Sequence, residues 1–173
     1  MTKKEFLHSV ANGKVDIFQL LLDLLKELNI DYCIIGGLAV NAYVEPVVSL
    51  DLDIVLVTDK LDSFLEKAKT IFTIERFPHS INLSHPDSDL RVQIQTDSTY
   101  QDFIPRSLIK EVMGYYMKVA QVKDILQGKI MAYSDKERRK SKRQKDLADI
   151  FRLIEKYPEL QPLLPQSLKD KEF

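Results

Sequence analysis

The chain has 173 residues, 45% hydrophobic and 29% charged, a balance that builds a core and excludes disorder by composition. Lys and Arg number 25 against 26 Asp and Glu, a net charge of -1, which excludes a uniformly basic nucleic-acid-coating protein but leaves room for a local basic patch. A single cysteine, Cys33, excludes an internal disulfide framework and a Cys-rich zinc site. The scattered His8, His79 and His85 offer no pair at metal-ligand spacing.

This length fits one domain, or one domain with a helical appendage, and suffices to bury roughly two thirds of the unfolded surface. The opening Met1-Thr2-Lys3-Lys4-Glu5-Phe6 lacks the apolar run of a signal peptide. No stretch approaches the ~20 apolar residues of a membrane span, since the best candidate, Ile17 to Leu25, is short and interrupted by Asp23. A soluble, reduced, cytoplasmic protein without a membrane partner is expected.

In chain order, residues 13–28 carry apolar side chains at helical spacing (Val15, Ile17, Phe18, Leu21, Leu22, Leu24, Leu25, Leu28). Asp31 to Ile35 reads as a buried strand that stops at Gly36-Gly37, and Leu38 to Tyr43 as a short helix opening off the glycines. Leu50 to Val57 is a second strand with strict alternation in its first half. Leu61 to Thr70 is an amphipathic helix, and Ile71 to Glu75 a candidate strand. Residues 77–89 are rich in Pro, Ser and Asp and predict a loop with a short extended piece at 81–84. Leu90 to Gln95 alternates again and is a third strand. Ile104 to Val112 is expected to be helical and Met117 to Ala120 a brief strand. Helical patterns over 122–132 and 137–157 follow, ended by Pro158, Pro162 and Pro165. The pattern predicts an α/β (α+β) fold: a mixed β-sheet core with flanking helices over 1–120, and a helical C-terminal part, 121–173, packed on it as one unit.

The sharpest local feature is Asp51-Leu52-Asp53-Ile54. Alternation on a strand points Asp51 and Asp53 the same way, with Leu52 and Ile54 toward the core. Two like charges on one face repel unless something cationic joins them, and hard divalent metals favour such oxygen ligands. A solvated strand end is the alternative. Gly36-Gly37 between strand and helix lets a phosphate approach the backbone closely, or is an ordinary corner. The short separation of Gly37 from Asp51, one helix and one turn, puts the glycines and both acids at one sheet edge. Ser49 either adds a hydroxyl there or begins the strand.

Gly36-Gly37-Leu38-Ala39-Val40-Asn41, Pro46 and Ser49-Leu50-Asp51-Leu52-Asp53 resemble the Gly-Gly and Asp-x-Asp motifs of the polymerase-β-like nucleotidyltransferase superfamily, most closely its minimal, AbiEii-like bacterial set, some of which are toxins. The resemblance continues through 90–97 and 126–149. It implies a metal-dependent transfer of NMP from an NTP to a hydroxyl, with Mg²⁺ or Mn²⁺ held by Asp51 and Asp53. The implied catalytic set is Asp51, Asp53, Asp97 and Lys145. The nucleotide would meet Gly36, Gly37, Ser49, Gln93, Lys129, Lys145 and Asp146. Two departures stand out: no Arg occurs near Val47, and Gln93 or Gln95 stands where the family's third carboxylate is expected. Asp97 takes that role if its strand runs so far, because 93, 95 and 97 share a face. Otherwise the chain reads as a weakened nucleotide- or RNA-binding module or an antitoxin-like partner.

Lys129 falls on or beside the apolar face of its helix, where it either snorkels or reaches an anion. Residues 136–145 include seven basic side chains in ten, among them Arg138, Arg139, Lys142 and Arg143. Such a run is a solvated face or, in a chain of this net charge, a contact for a phosphate-rich partner such as RNA or a triphosphate. Lys142, Lys145, Asp149 and Arg152 share one helical face. Tyr100 and Phe103 read as core, with base stacking the alternative.

Overall fold

The computed structural model describes residues 1–171. Seven strands form one mixed sheet, ordered β3-β4-β5-β2-β1-β7-β6. The central strands are β1 (Tyr32–Ile35), β2 (Asp51–Leu56) and β5 (Ser88–Gln95). β2 runs antiparallel to β1 and parallel to β5. β3 (Thr73–Arg76) and β4 (Ser80–His85) extend the sheet on one side, β7 (Tyr115–Val119) and β6 (Leu108–Val112) on the other. The mixed sheet with flanking helices is the architecture expected from the sequence.

Burial explains the pattern. Leu52, Ile54 and Val55 of β2, and Leu90, Val92 and Ile94 of β5, are all buried. α2 (Ile17–Glu27) buries Ile17, Phe18, Leu21, Leu24 and Leu25, each worth roughly 1.5–3 kcal/mol when fully enclosed. Its N-cap Asp16 accepts from the Gln19 N–H and from the Tyr115 hydroxyl at 2.8 Å, tying helix to sheet. Cys33 is a core residue whose thiol burial pushes up to about 12, so it stays an inert small hydrophobe.

Three elements depart from expectation. α1 (Lys3–Val10) opens with a capping box in which the Thr2 side chain accepts from the Glu5 N–H and Glu5 reaches back to the Thr2 N–H. The 77–89 stretch is more ordered than its composition suggests, because β4 pairs with both β3 and β5. The helix expected at 104–112 does not form; 108–112 is strand β6. Met113 and Gly114 both take positive φ, 50° and 88°, the turn that closes a two-residue hairpin onto β7.

α3 (Gly36–Val40) leaves β1 directly, α4 (Leu61–Ala68) precedes β3, and α7 (Gln166–Lys169) ends the described chain. α5 (Val122–Ser134) and α6 (Lys140–Lys156) pack on each other and on α3, roofing the sheet edge where β1 ends and β2 begins. Among the described residues no helix is long and apolar enough to cross a membrane.

Candidate functional site

Sheet register builds the site. Ile35 of β1 stands opposite Asp53 of β2, so the chain turns through Gly36 beside that carboxylate. Gly36 has φ +73°, and a Cβ there would lie 2.2 Å from Asp53 Oδ2. Only glycine fits. Gly37, by contrast, has nothing within 4 Å of where its Cβ would be. Gly36→Ala is therefore expected to displace Asp53 and cost about 1–3 kcal/mol through backbone strain. Gly37→Ala should keep the fold and weaken only binding of a ligand against the turn; melting temperature and NTP affinity measured on both variants separate the two effects.

Gly36, Gly37, Ser49, Asp51, Asp53 and Gln93 line one cavity of about 410 Å³. Lys129, Arg138, Lys142, Lys145 and Asp146 of α5, α6 and the segment between them form its facing wall. The sequence-expected residues thus converge, with three exceptions. β5 stops at Gln95, and Asp97 lies beyond it, accepting from the Thr99 N–H at 2.9 Å and the Thr99 hydroxyl at 2.6 Å. Those bonds hold the Asp97 carboxyl below the usual range, and it does not line the cavity. Arg139 and Arg143 also lie off the cavity, and Arg143 donates to the Tyr133 carbonyl at 2.7 Å.

Asp51 and Asp53 share the face of β2 that looks into the cavity. Arg91, opposite Asp51 on β5, donates to Asp51 Oδ1 at 3.0 Å. Gln95 donates to Asp53 Oδ1 at 3.2 Å, placing an amide at the position discussed for a third acid. Gln93 turns away to Ser80, at 3.3 Å. The Asp53 carboxyl is raised above its ordinary value, chiefly by burial and secondarily by Asp51, although Lys129, Gln95 and Arg138 act the other way. Its charge is thus short of compensation.

A divalent cation fits this donor set. Mg²⁺ is commonly held by one or two carboxylates, with phosphate oxygens and water completing the shell. Two hard oxygen ligands lining a cavity of about 410 Å³ match that arrangement. Among the described residues no group of three or more His, Cys, Asp or Glu is placed to hold a metal, so the protein alone makes no full cage.

The facing wall is an ion network that sequence reasoning reached only in part. Lys129 Nζ sits 3.1 Å from Asp146 Oδ1 and 2.8 Å from Asp149 Oδ2. Burial works to lower the Lys129 pKa, but Asp149 and Asp146 more than offset it, so the ammonium is held charged. Arg138 Nε donates to Asp146 Oδ2 at 2.7 Å, and Arg152 Nη1 to Asp149 Oδ1 at 2.7 Å. Arg152 also donates to the Asn41 side chain at 3.3 Å and to the Glu45 carbonyl. Asn41 brackets Val47 through both of its backbone groups, at 2.7 and 3.0 Å. Arg152 thereby latches the 41–50 loop, which carries Ser49, to α6. The shared helical face of 142, 145, 149 and 152 is the cavity-facing one. The latch to Asn41 has only a faint sequence signal, a buried amide at the end of α3.

No family model matches the chain, and no curated protein matches it in sequence. Solved structures do match in fold. ANT(2'')-Ia in complex with adenylyl-2''-tobramycin superposes with a TM-score of 0.64 at 12% identity, covering 88% of this chain and 91% of that one. The lincosamide antibiotic adenylyltransferase LnuA, lincomycin-bound, gives 0.55 at 13% identity over 79% of this chain and 95% of its own. An antigenic nucleotidyltransferase-like protein from Paracoccidioides brasiliensis gives 0.54 at 24% identity, over 97% and 86%. With its glycine turn and paired acids at one sheet edge, the chain has the fold of solved nucleotidyltransferases.

Proposed function

We propose that the protein is a metal-dependent nucleotidyltransferase that passes NMP from an NTP to a hydroxyl acceptor and releases pyrophosphate. The observation that carries this reading is the contact of Gly36 with Asp53, which fixes an unobstructed backbone turn beside two cavity-facing carboxylates. Asp51 and Asp53 would hold Mg²⁺ or Mn²⁺, and the ion, when bound, offsets phosphate charge and polarises the reacting phosphoryl group. Gly37 leaves room for phosphate oxygens, Ser49 stands beside Asp51, and the exposed Lys142 and Lys145 supply positive charge at the rim. In the transfer, the acceptor oxygen forms a bond to the α-phosphorus as the bond to the bridging oxygen breaks. The hydroxyl proton leaves to a base, and pyrophosphate departs.

For the acceptor, the basic residues of 136–145 favour an RNA 3′ end. Arg138 and Arg143 are engaged within the chain, which leaves Lys136, Arg139, Lys140, Lys142 and Lys145 for such contact. Two fold neighbours are named for antibiotics, so a small hydroxylated molecule is the acceptor to set beside RNA. With RNA as acceptor the role is toxin-like, in keeping with the AbiEii-like text of the sequence, and a protein antitoxin is the partner. A protein that uses NTP in this way would work in the cytoplasm, where NTP is supplied. Incubation with each α-³²P-NTP, Mg²⁺ or Mn²⁺ and a small-RNA fraction should label RNA, and the Asp51→Asn/Asp53→Asn variant should reduce label to background. Equal labelling by both proteins would refute the assignment of the acids.

A second reading rests on Gln95, which occupies the place beside Asp53 with an amide that can neither hold a metal as an anion nor take a proton. On that reading the chain binds nucleotide or RNA without turnover. NTP binding with no label released or transferred would favour it.

A further inference from the structure

The cavity lining mixes charged side chains, among them Asp53, Lys129, Arg138 and Asp146, with an apolar patch of Tyr100, Phe103, Ile125 and Gly128. We propose that this apolar patch is the nucleobase subsite, with the base lying on the Tyr100 ring; the proposal rests on the nucleotidyltransferase reading of the same cavity.

Tyr100 belongs to the 3₁₀ segment Ser98–Phe103 that follows β5. Phe103 is 2% exposed and belongs to the core, whereas Tyr100 is only half-buried and lines the open cavity. The two rings meet edge to face, with centroids 5.6 Å apart and planes at 76°. Gly128, in the middle of α5, abuts the pair: a Cβ there would lie 3.8 Å from Tyr100 Cε1 and 4.0 Å from Phe103 Cε2, ordinary van der Waals contact.

The ring is also fixed in advance. Asp97 caps the segment through the Thr99 N–H, and Gln101 donates to the Leu56 carbonyl at 3.0 Å while accepting from the Thr58 N–H at 3.3 Å. Asp97 therefore positions the aromatic wall instead of joining the acids. Among the described residues the Tyr100 hydroxyl makes no hydrogen bond, so the side chain is not held there by a polar partner of its own.

The match to a nucleotide follows from its two-part chemistry. A triphosphate needs cations and metal-holding acids, which the cavity's charged residues supply. A base presents two flat faces that prefer an aromatic platform to water. Tyr100, Asp51 and Asp53 line the same cavity, so platform and acids face one ligand. An aromatic face carries no donor–acceptor code, so the wall should contribute affinity without selecting a base.

The test compares binding of the four NTPs, as non-hydrolysable analogues, and of inorganic tripolyphosphate, each with Mn²⁺, by calorimetry. Wild type, Tyr100→Leu and Tyr100→Phe are used as full-length chains. Tyr100→Leu should raise the Kd for nucleotides at least tenfold and leave that for tripolyphosphate within twofold, while Tyr100→Phe should match wild type. Unchanged nucleotide affinity in Tyr100→Leu overturns the subsite, and so does an equal loss of both ligands in a variant with an unaltered circular-dichroism melt. Wild type that binds neither ligand overturns the nucleotide reading itself.

Discussion

Replacing Asp53 by Asn is expected to raise the melting temperature of the metal-free protein at neutral pH while removing nucleotidyl transfer. The Asp53 carboxyl is raised by burial, so its ionised form is less favourable folded than unfolded. Below the ordinary carboxyl range the group is protonated in both states and contributes nothing. As pH rises from that range through the raised value, the folded protein loses stability, and above it the full penalty remains. Asn keeps an oxygen to accept from Gln95 and carries no charge. The gain of Asp53→Asn over wild type should therefore be negligible in acid and grow toward neutrality, each kcal/mol moving Tm by ~2–4 °C for a chain of this size. Mn²⁺ should reverse the order by stabilising wild type and not the variant. Thermal melts at several pH values, with and without Mn²⁺, read both effects; a wild type more stable than Asp53→Asn without metal at neutral pH would contradict the assignment.

The second large effect is expected at Lys129. Its ammonium is 10% exposed and neutralises Asp146, 2% exposed, together with Asp149. Lys129→Met keeps the bulk of the stem but leaves three-way pairing broken, with Arg138 and Arg152 as the remaining cations. Removing one partner of a buried ion pair costs about 3–5 kcal/mol. A fall in Tm of roughly 10 °C should follow. The double variant Lys129→Met/Asp146→Asn should recover part of the loss, because it removes the stranded charge as well. Strictly additive losses in such a cycle would show that the two side chains do not couple.

Much of this architecture can be read along the chain because its signals are local. The alternation of Leu50–Val57 and Leu90–Gln95 and the stripe of Ile17–Leu25 each report one buried face, and β2, β5 and α2 lie there. The misread segment fails for an equally local reason. Ile104–Val112 has apolar spacing compatible with a helix, and the deciding feature is a turn at Met113-Gly114. Methionine is not a residue that advertises positive φ, so the hairpin stays hidden. β4 was obscured because its pairing comes from β3 and β5 on either side, not from its own Ser- and Asp-rich text. At the site, Gly36-Gly37 and Asp51-x-Asp53 are visible because close neighbours in sequence converge through one hairpin-like register. Asp149 and Arg152 pair at i,i+3 within α6, but Lys129 meets Asp146 and Asp149 only when α5 folds onto α6, and no spacing within one helix announces that contact.

The way the 41–50 loop is held has a consequence for how this scaffold can diversify. Gly36 and Asp53 are locked together by the pairing of β1 with β2, independently of what joins them. The loop in between is secured mainly by Asn41 and one guanidinium, that of Arg152, while its Val47 and Val48 face solvent and the cavity mouth. The Gly36–Asp53 contact and the loop thus sit on separate mechanical supports: a rigid one that tolerates no added atom, and a strap that can be lengthened or rewritten around its fastening. Sequence change can accumulate in the strap without moving the paired carboxylates.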